Sequence, residues 1–255
     1  MASTWDRLVK WVKGDLEEAP LQGLEAADKI LADLVHFNKV PGLAITFLKD
    51  GEFFFQNGYG YADMAQVIPM DPKQTLSRAA SASKPIAALA LGKMMQSSEI
   101  DPDASFYTYV PYFPKKKHDF TIRQLARHTA GIRSYRGKEY ALNRPLSIKD
   151  SLDIFKEDDL LFEPDSGYNY NSFDWVMLSL AMQEVSGIPF EALVEKEVLK
   201  PLNLRNTRPE IPKEKDDRVA KFYTRYAVGF KLASTVDNRY KLAGGGFLTT
   251  SDDLA

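Results

Sequence analysis

Ser81 and Lys84 stand three residues apart in the run Ser77-Arg-Ala-Ala-Ser-Ala-Ser-Lys-Pro-Ile86. On a helix this spacing makes two side chains neighbours, so an amine can lie against a hydroxyl. If the helix starts there, its first backbone N–H groups can also face an oxyanion, and the set can perform acyl transfer on a carbonyl. The spacing alone is weak, because random order yields about one Ser-x-x-Lys in a chain of this composition. The neighbouring residues strengthen it. Ala87-Ala-Leu-Ala-Leu-Gly-Lys-Met-Met95 is apolar and rich in helix formers, which predicts a buried helix. Pro85 fits only in the first turn, where backbone donors lack intrahelical partners, so the helix is expected to begin at about Ser81 or Ala82.

The elements that must hold this pair can be read around it. Leu24 to Phe37 reads as an amphipathic helix broken by Val40-Pro-Gly42, and Leu43 to Lys49 and Glu52 to Asn57 read as strands around the turn dipeptide Asp50-Gly51. Gly58-Tyr-Gly-Tyr-Ala-Asp63 lacks the third glycine and the helix of a dinucleotide fingerprint and is read as a turn. Beyond the Ser81 helix the pattern is mainly helical: Thr121 to Arg127, Leu146 to Phe155 with Ser147 as cap, Phe173 to Val185 closed by Ser186-Gly187, and Phe190 to Leu199. Phe222 to Phe230 has the composition of a β-hairpin.

Composition narrows the function classes. The chain has 255 residues, 44% of them hydrophobic, enough to bury a large core in one or two domains, and a net charge of −2 gives no electrostatic case for nucleic acid. It has no Cys, which excludes disulfides and a cysteine nucleophile but fits any compartment, so localisation stays open. No apolar run is long enough for a membrane span, and Met1 to Lys13 has no apolar core of the signal-peptide kind, so the chain is expected to be soluble. Trp5, Leu8, Val9, Val12 and Leu16 recur at helical spacing and are expected to pack on their own domain rather than on a partner or membrane. His36, His118 and His128 have no ligand spacing, so no metal is expected, and nothing calls for a cofactor.

Five ordered blocks resemble the serine β-lactamase and penicillin-binding protein superfamily, in its class C and DD-carboxypeptidase-like branch. Val40-Pro-Gly-Leu-Ala-Ile with Asp50-Gly51 resembles its first strands, and Arg78-Ala-Ala-Ser-Ala-Ser-Lys-Pro-Ile86 its nucleophile helix. Ile122-Arg-Gln-Leu-Ala-Arg-His-Thr-Ala-Gly-Ile132 is similar to its Leu-Leu-x-His-x-Ser-Gly segment, and Pro164-Asp-Ser-Gly-Tyr-Asn-Tyr170 to the loop ending in its second motif. Gly244-Gly-Gly-Phe-Leu-Thr-Thr-Ser-Asp-Asp-Leu254 is similar to its Gly-Gly-x-x-Ser-Thr-x-x-Asp-Leu segment. Gly131-Ile-Arg-Ser-Tyr135 and the run from Val236 to Phe247 look most like the mitochondrial serine β-lactamase-like members and their bacterial relatives.

The resemblance implies a mixed α/β fold of the β-lactamase/transpeptidase type with a helical subdomain. It implies an N-terminal helix or extension over 1–21 and one β-lactamase-like domain over 22–255: the start of the α/β part over 22–80, a mainly helical part over 81–243, and a return to the α/β part over 244–255. It also implies that Ser81 is the nucleophile, Lys84 its activator, and Tyr170 the base and later acid. Free Lys and Tyr both titrate near 10, so one must be held deprotonated, and the residues leave open which one takes the proton. The sequence departs from the pattern twice. Tyr170-Asn171-Ser172 has Ser where the Tyr-x-Asn motif has Asn, so Ser172 is expected to contact substrate with one hydroxyl in place of an amide. No Lys-Thr-Gly or His-x-Gly triplet of the third motif is present, so C-terminal strands of the sheet and the second oxyanion donor are expected to be absent and the 255-residue chain alone to be inactive or poor. The implied function is a serine hydrolase of the β-lactamase, DD-peptidase or esterase type, acting by an acyl-enzyme on a small ester, amide or peptide. The alternative is a non-catalytic binding or assembly protein on the same scaffold. The partner is a small-molecule or peptide substrate, with a homo-oligomer left open.

Overall fold

Asp50 and Gly51 both take positive φ, 54° and 81°, the backbone a two-residue hairpin turn requires. The computed structural model describes residues 23–211 and 216–255, so the helix expected over Trp5 to Leu16 and the 1–21 extension lie outside the described residues. The described residues divide into two compact units, one comprising residues 23–77, 216–234 and 250–255 and the other residues 78–211 and 235–249.

In the first unit, helix α1 (Gly23–His36) precedes the hairpin of β1 (Gly42–Lys49) and β2 (Glu52–Asp63). These strands pair antiparallel from Gly42↔Gly60 to Lys49↔Glu52, with an irregularity between Phe47 and Leu48. The run Gly58 to Asp63, read as a turn, is the second half of β2 and also pairs with the short β3 (Ile68–Pro69). The reason is room rather than turning. A side chain on Gly58 would lie 2.0 Å from the Met70 carbonyl oxygen, and one on Gly60, at φ +65°, would lie 2.4 Å from that of Pro41. The glycines let neighbouring backbone approach the strand closely, a use of Gly inside strands that composition alone does not separate from a turn. A separate hairpin joins Tyr223–Arg225 to Phe230–Leu232, where the sequence calls for one.

The second unit is built on helix packing. A 3-10 turn over Ala80–Ala82 leads into helix α2 (Ser83–Gln96), which buries Ile86, Ala87, Ala90, Leu91 and Met94 at helical spacing. Helix α3 (Ile122–Ala126) starts with a capping box between Thr121 and Gln124. Helix α4 (Phe173–Ser186) is buried at every position from Phe173 to Met182, and Gly187 ends it in the left-handed conformation at φ 69°. Strand β4 (Arg208–Pro209) pairs antiparallel with β5 (Phe247–Thr249), which follows the short helix α5 (Leu242–Gly245). The other edge of β5 takes the Ala79 amide on the Phe247 carbonyl at 2.9 Å, which anchors the chain just ahead of Ser81.

The core of this unit carries an aromatic cluster: Phe106 is fully buried, stacks on Phe120 at 5.7 Å between centroids and meets Phe113 edge-on at 5.5 Å. Phe106→Ala is therefore expected to cost about 3–5 kcal/mol, read as a lower denaturant midpoint at unchanged slope. A loss below about 1 kcal/mol would show that the cavity collapses or that this cluster is not a structural core.

Candidate active site

The turn that carries Ser81 is held from two sides. Ala80 has φ 46°, a left-handed value that a residue with a side chain adopts only when its surroundings impose it. Ser83, fully buried, accepts the Phe247 amide at 3.2 Å, so α2 and β5 are tied together two residues after Ser81. A side chain on Gly245 would sit 3.5 Å from the Ala80 backbone, an ordinary contact. Upstream, Arg78 donates Nε and Nη2 to Glu210 at 2.8 and 2.6 Å, and Asn238 donates to the same carboxylate at 2.6 Å. Close by, burial and the Arg78 charge push the Lys241 ammonium down to about 8, against the attraction of Glu210.

Ser81 itself is exposed, whereas Lys84 in the first turn of α2 is 6% exposed. Lys84 donates Nζ to Ser81 Oγ at 3.3 Å and to the Gly244 carbonyl at 3.0 Å. The same ammonium lies 4.7 Å from the centroid of the Tyr170 ring. Burial raises the Tyr170 phenol, but hydrogen bonding from Lys84 and Ser81 and the Lys84 charge outweigh it, leaving the phenol below the ordinary tyrosine value. The structure thus brings Ser81, Lys84 and Tyr170 together. Ser172 sits at the head of α4, where a side chain on Gly244 would lie 3.0 Å from its Cβ.

Three further residues belong to this cluster. His128 packs its ring 4.6 Å from that of Tyr170, and its Nδ1 pairs with Asp174 Oδ2 at 2.7 Å. Asn171 donates Nδ2 to the same oxygen at 2.7 Å and to the Asn169 carbonyl at 2.9 Å, while its Oδ1 accepts the Asp174 amide at 2.8 Å. Asp174 is 1% exposed, and burial, opposed by His128, Asn171 and Lys84, pushes its carboxyl up to about 7. The signal that could have found this network is Asp174 itself, an acid in the buried head of an otherwise apolar helix, where a charge needs partners.

The Beta-lactamase family model matches residues 27–255. The chain belongs to the Beta-lactamase family. Within it, the chain is 27% identical to the serine beta-lactamase-like protein LACTB, mitochondrial, of Homo sapiens over 87% of its own length and 54% of that protein's, so it spans about half of this curated relative. Among solved structures it is similar to EstCE1, a hydrolase with promiscuous acyltransferase activity, at a TM-score of 0.80 and 22% identity over 89% of this chain and 69% of that one. It is also similar to the octameric penicillin-binding protein homologue from Pyrococcus abyssi, at a TM-score of 0.80 and 24% identity over 92% and 55% of the two chains. These likenesses establish the mixed α/β β-lactamase/transpeptidase-like fold and membership of the serine β-lactamase and penicillin-binding protein superfamily.

Proposed function

We propose that the chain is a serine hydrolase that acts through an acyl-enzyme on Ser81. The observation that carries this reading is Lys84 Nζ at 3.3 Å from Ser81 Oγ with the Tyr170 ring on the same ammonium. Oγ attacks the substrate carbonyl as its proton passes to the Lys84–Tyr170 pair, and the Ser81 amide at the head of the helix faces the developing oxyanion. The pair returns that proton to the departing alcohol or amine. Water then attacks the ester carbon, gives a proton to the pair and releases the acid, and Oγ is reprotonated. Small esters, amides or peptides are the inferred substrates. Ser172 offers one hydroxyl where the family's motif offers an amide donor to the substrate, so β-lactams are poor substrates in this reading. The proposal extends to self-association, because the Pyrococcus abyssi homologue is octameric.

An activated aryl ester tests it. A burst of leaving group equal to the protein concentration, followed by slower turnover, is the expected sign of two-step acyl transfer. Within these 255 residues the proposal identifies one oxyanion donor, so a chain that also carries the family's third motif is expected to turn over about 10² to 10³ faster. Neither burst nor turnover in a folded protein of either length would favour the second reading, a binding or assembly protein on the same scaffold.

A further inference from the structure

From Arg218 to Val236 the chain carries Arg218, Lys221, Arg225 and Lys231 and no Asp or Glu, in a protein whose net charge is −2. The hairpin of Tyr223–Arg225 and Phe230–Leu232 is the centre of this basic stretch. Its base is tied to β2: the Lys221 amide donates to the Ala62 carbonyl at 2.8 Å, and the Met64 amide donates to the Tyr223 hydroxyl at 2.9 Å. Its end projects. Every residue from Thr224 to Gly229 is exposed, Val228 in the turn is 92% exposed, and Leu232 on the returning strand is 68% exposed. Tyr226 is exposed as well, with the Lys231 ammonium 4.8 Å from its ring centroid. The turn from Asp63 to Ile68 adds exposed Met64, Val67 and Ile68, while its one carboxylate, Asp63, is buried and accepts the Ala65 and Gln66 amides at 2.8 and 3.2 Å.

We propose that this hairpin docks the protein on an anionic lipid membrane, with Tyr226 and Val228 entering the interface and Lys221, Arg225 and Lys231 lying among the headgroups. Charge complementarity selects the partner. A basic segment without acids is drawn to a phosphatidylserine-containing surface, with a gain of about fivefold in affinity for each Lys or Arg. The apolar tip selects a lipid surface over a soluble polyanion, because a chain of phosphates gives Val228 and Leu232 nothing to bury against, whereas the boundary between headgroups and acyl chains does. Tyrosine suits that boundary through its amphipathic ring, and Lys231 on the face of Tyr226 keeps a cation at the same depth. Docking of this kind lays the protein on the membrane and needs no spanning helix, and among the described residues no helix is long and apolar enough to cross one. It does not depend on the acylation of Ser81.

Flotation of the full 255-residue chain with vesicles of phosphatidylcholine alone, or with about one part in four of phosphatidylserine, tests the docking. The protein is expected to float with the anionic vesicles, to stay behind with the neutral ones, and to be released as salt rises. Lys221→Gln, Arg225→Gln and Lys231→Gln combined are expected to weaken binding about 10²-fold. Val228→Ser leaves every charge in place and is expected to weaken it about tenfold. Because the chain has no Cys, Ala227→Cys accepts a single environment-sensitive dye at the tip, and its emission is expected to shift to the blue on the anionic vesicles only. No flotation, equal flotation of the wild type and the variants, or a dye that stays in water overturns the proposal. So does binding to soluble polyphosphate that matches the vesicles and ignores Val228→Ser, which would make the stretch a polyanion contact. Self-association that the variants abolish, without vesicle binding in the wild type, would make it a contact between copies instead and equally overturns it.

Discussion

Ser81→Ala is expected to lower kcat/KM toward an activated ester by at least about 10⁴ while leaving the unfolding temperature unchanged. The two halves of this expectation have separate causes. In the proposed reaction Ser81 Oγ is the atom that bonds to the substrate, and no neighbouring group can take its place without a new approach to the carbonyl. Its side chain is exposed, however, and Lys84 keeps its bond to the Gly244 carbonyl when the hydroxyl is gone, so packing is untouched. Ser83, two residues on, is the built-in contrast. It is fully buried and accepts the Phe247 amide, so Ser83→Ala leaves a buried donor unpaired and is expected to cost about 1–3 kcal/mol of stability without touching the reacting atoms. A Ser83→Ala protein that loses acylation while remaining folded, beside a Ser81→Ala protein that retains it, would exchange their roles.

Tyr170→Phe is expected to reduce kcat by about 10² to 10⁴ with KM little changed, because it deletes one hydroxyl and keeps the ring. That ring remains packed at 4.6 Å from His128 and under the Lys84 ammonium, so the loss reports proton transfer rather than architecture. Lys84→Met is expected to fall by a similar factor. In the proposed mechanism the two groups handle one proton, so the double variant is expected to fall little further than either single one. Steady-state kinetics on the three proteins checks this. Losses that simply add would mean that Lys84 and Tyr170 act on separate steps.

Local features were the legible ones. Asp50-Gly51 announces its hairpin because few residues tolerate two successive positive φ values, and Pro85 marks the helix start because it fits only a first turn. Gly58 and Gly60 misled because a glycine that admits a neighbour's backbone looks the same in sequence as one that turns the chain. At the site, Ser81 and Lys84 share one turn, so their spacing was readable, and Tyr170 could be placed with them through resemblance alone. The His128–Asp174 contact joins residues 46 positions apart and depends on how α3 packs on α4, which no local pattern encodes. The residue types still left a trace, since Asp174 in the buried head of α4 demanded a partner that the sequence could not name.

The central claim is that Ser81 is acylated through the Lys84–Tyr170 pair, and the mass of the intact protein after brief exposure to an activated ester tests it most directly. One added acyl group is expected, located by peptide mapping on Ser81, absent from Ser81→Ala and slow to form in Lys84→Met and Tyr170→Phe. An acyl group that persists in Ser81→Ala, or maps to Ser83 or a surface lysine, would contradict it.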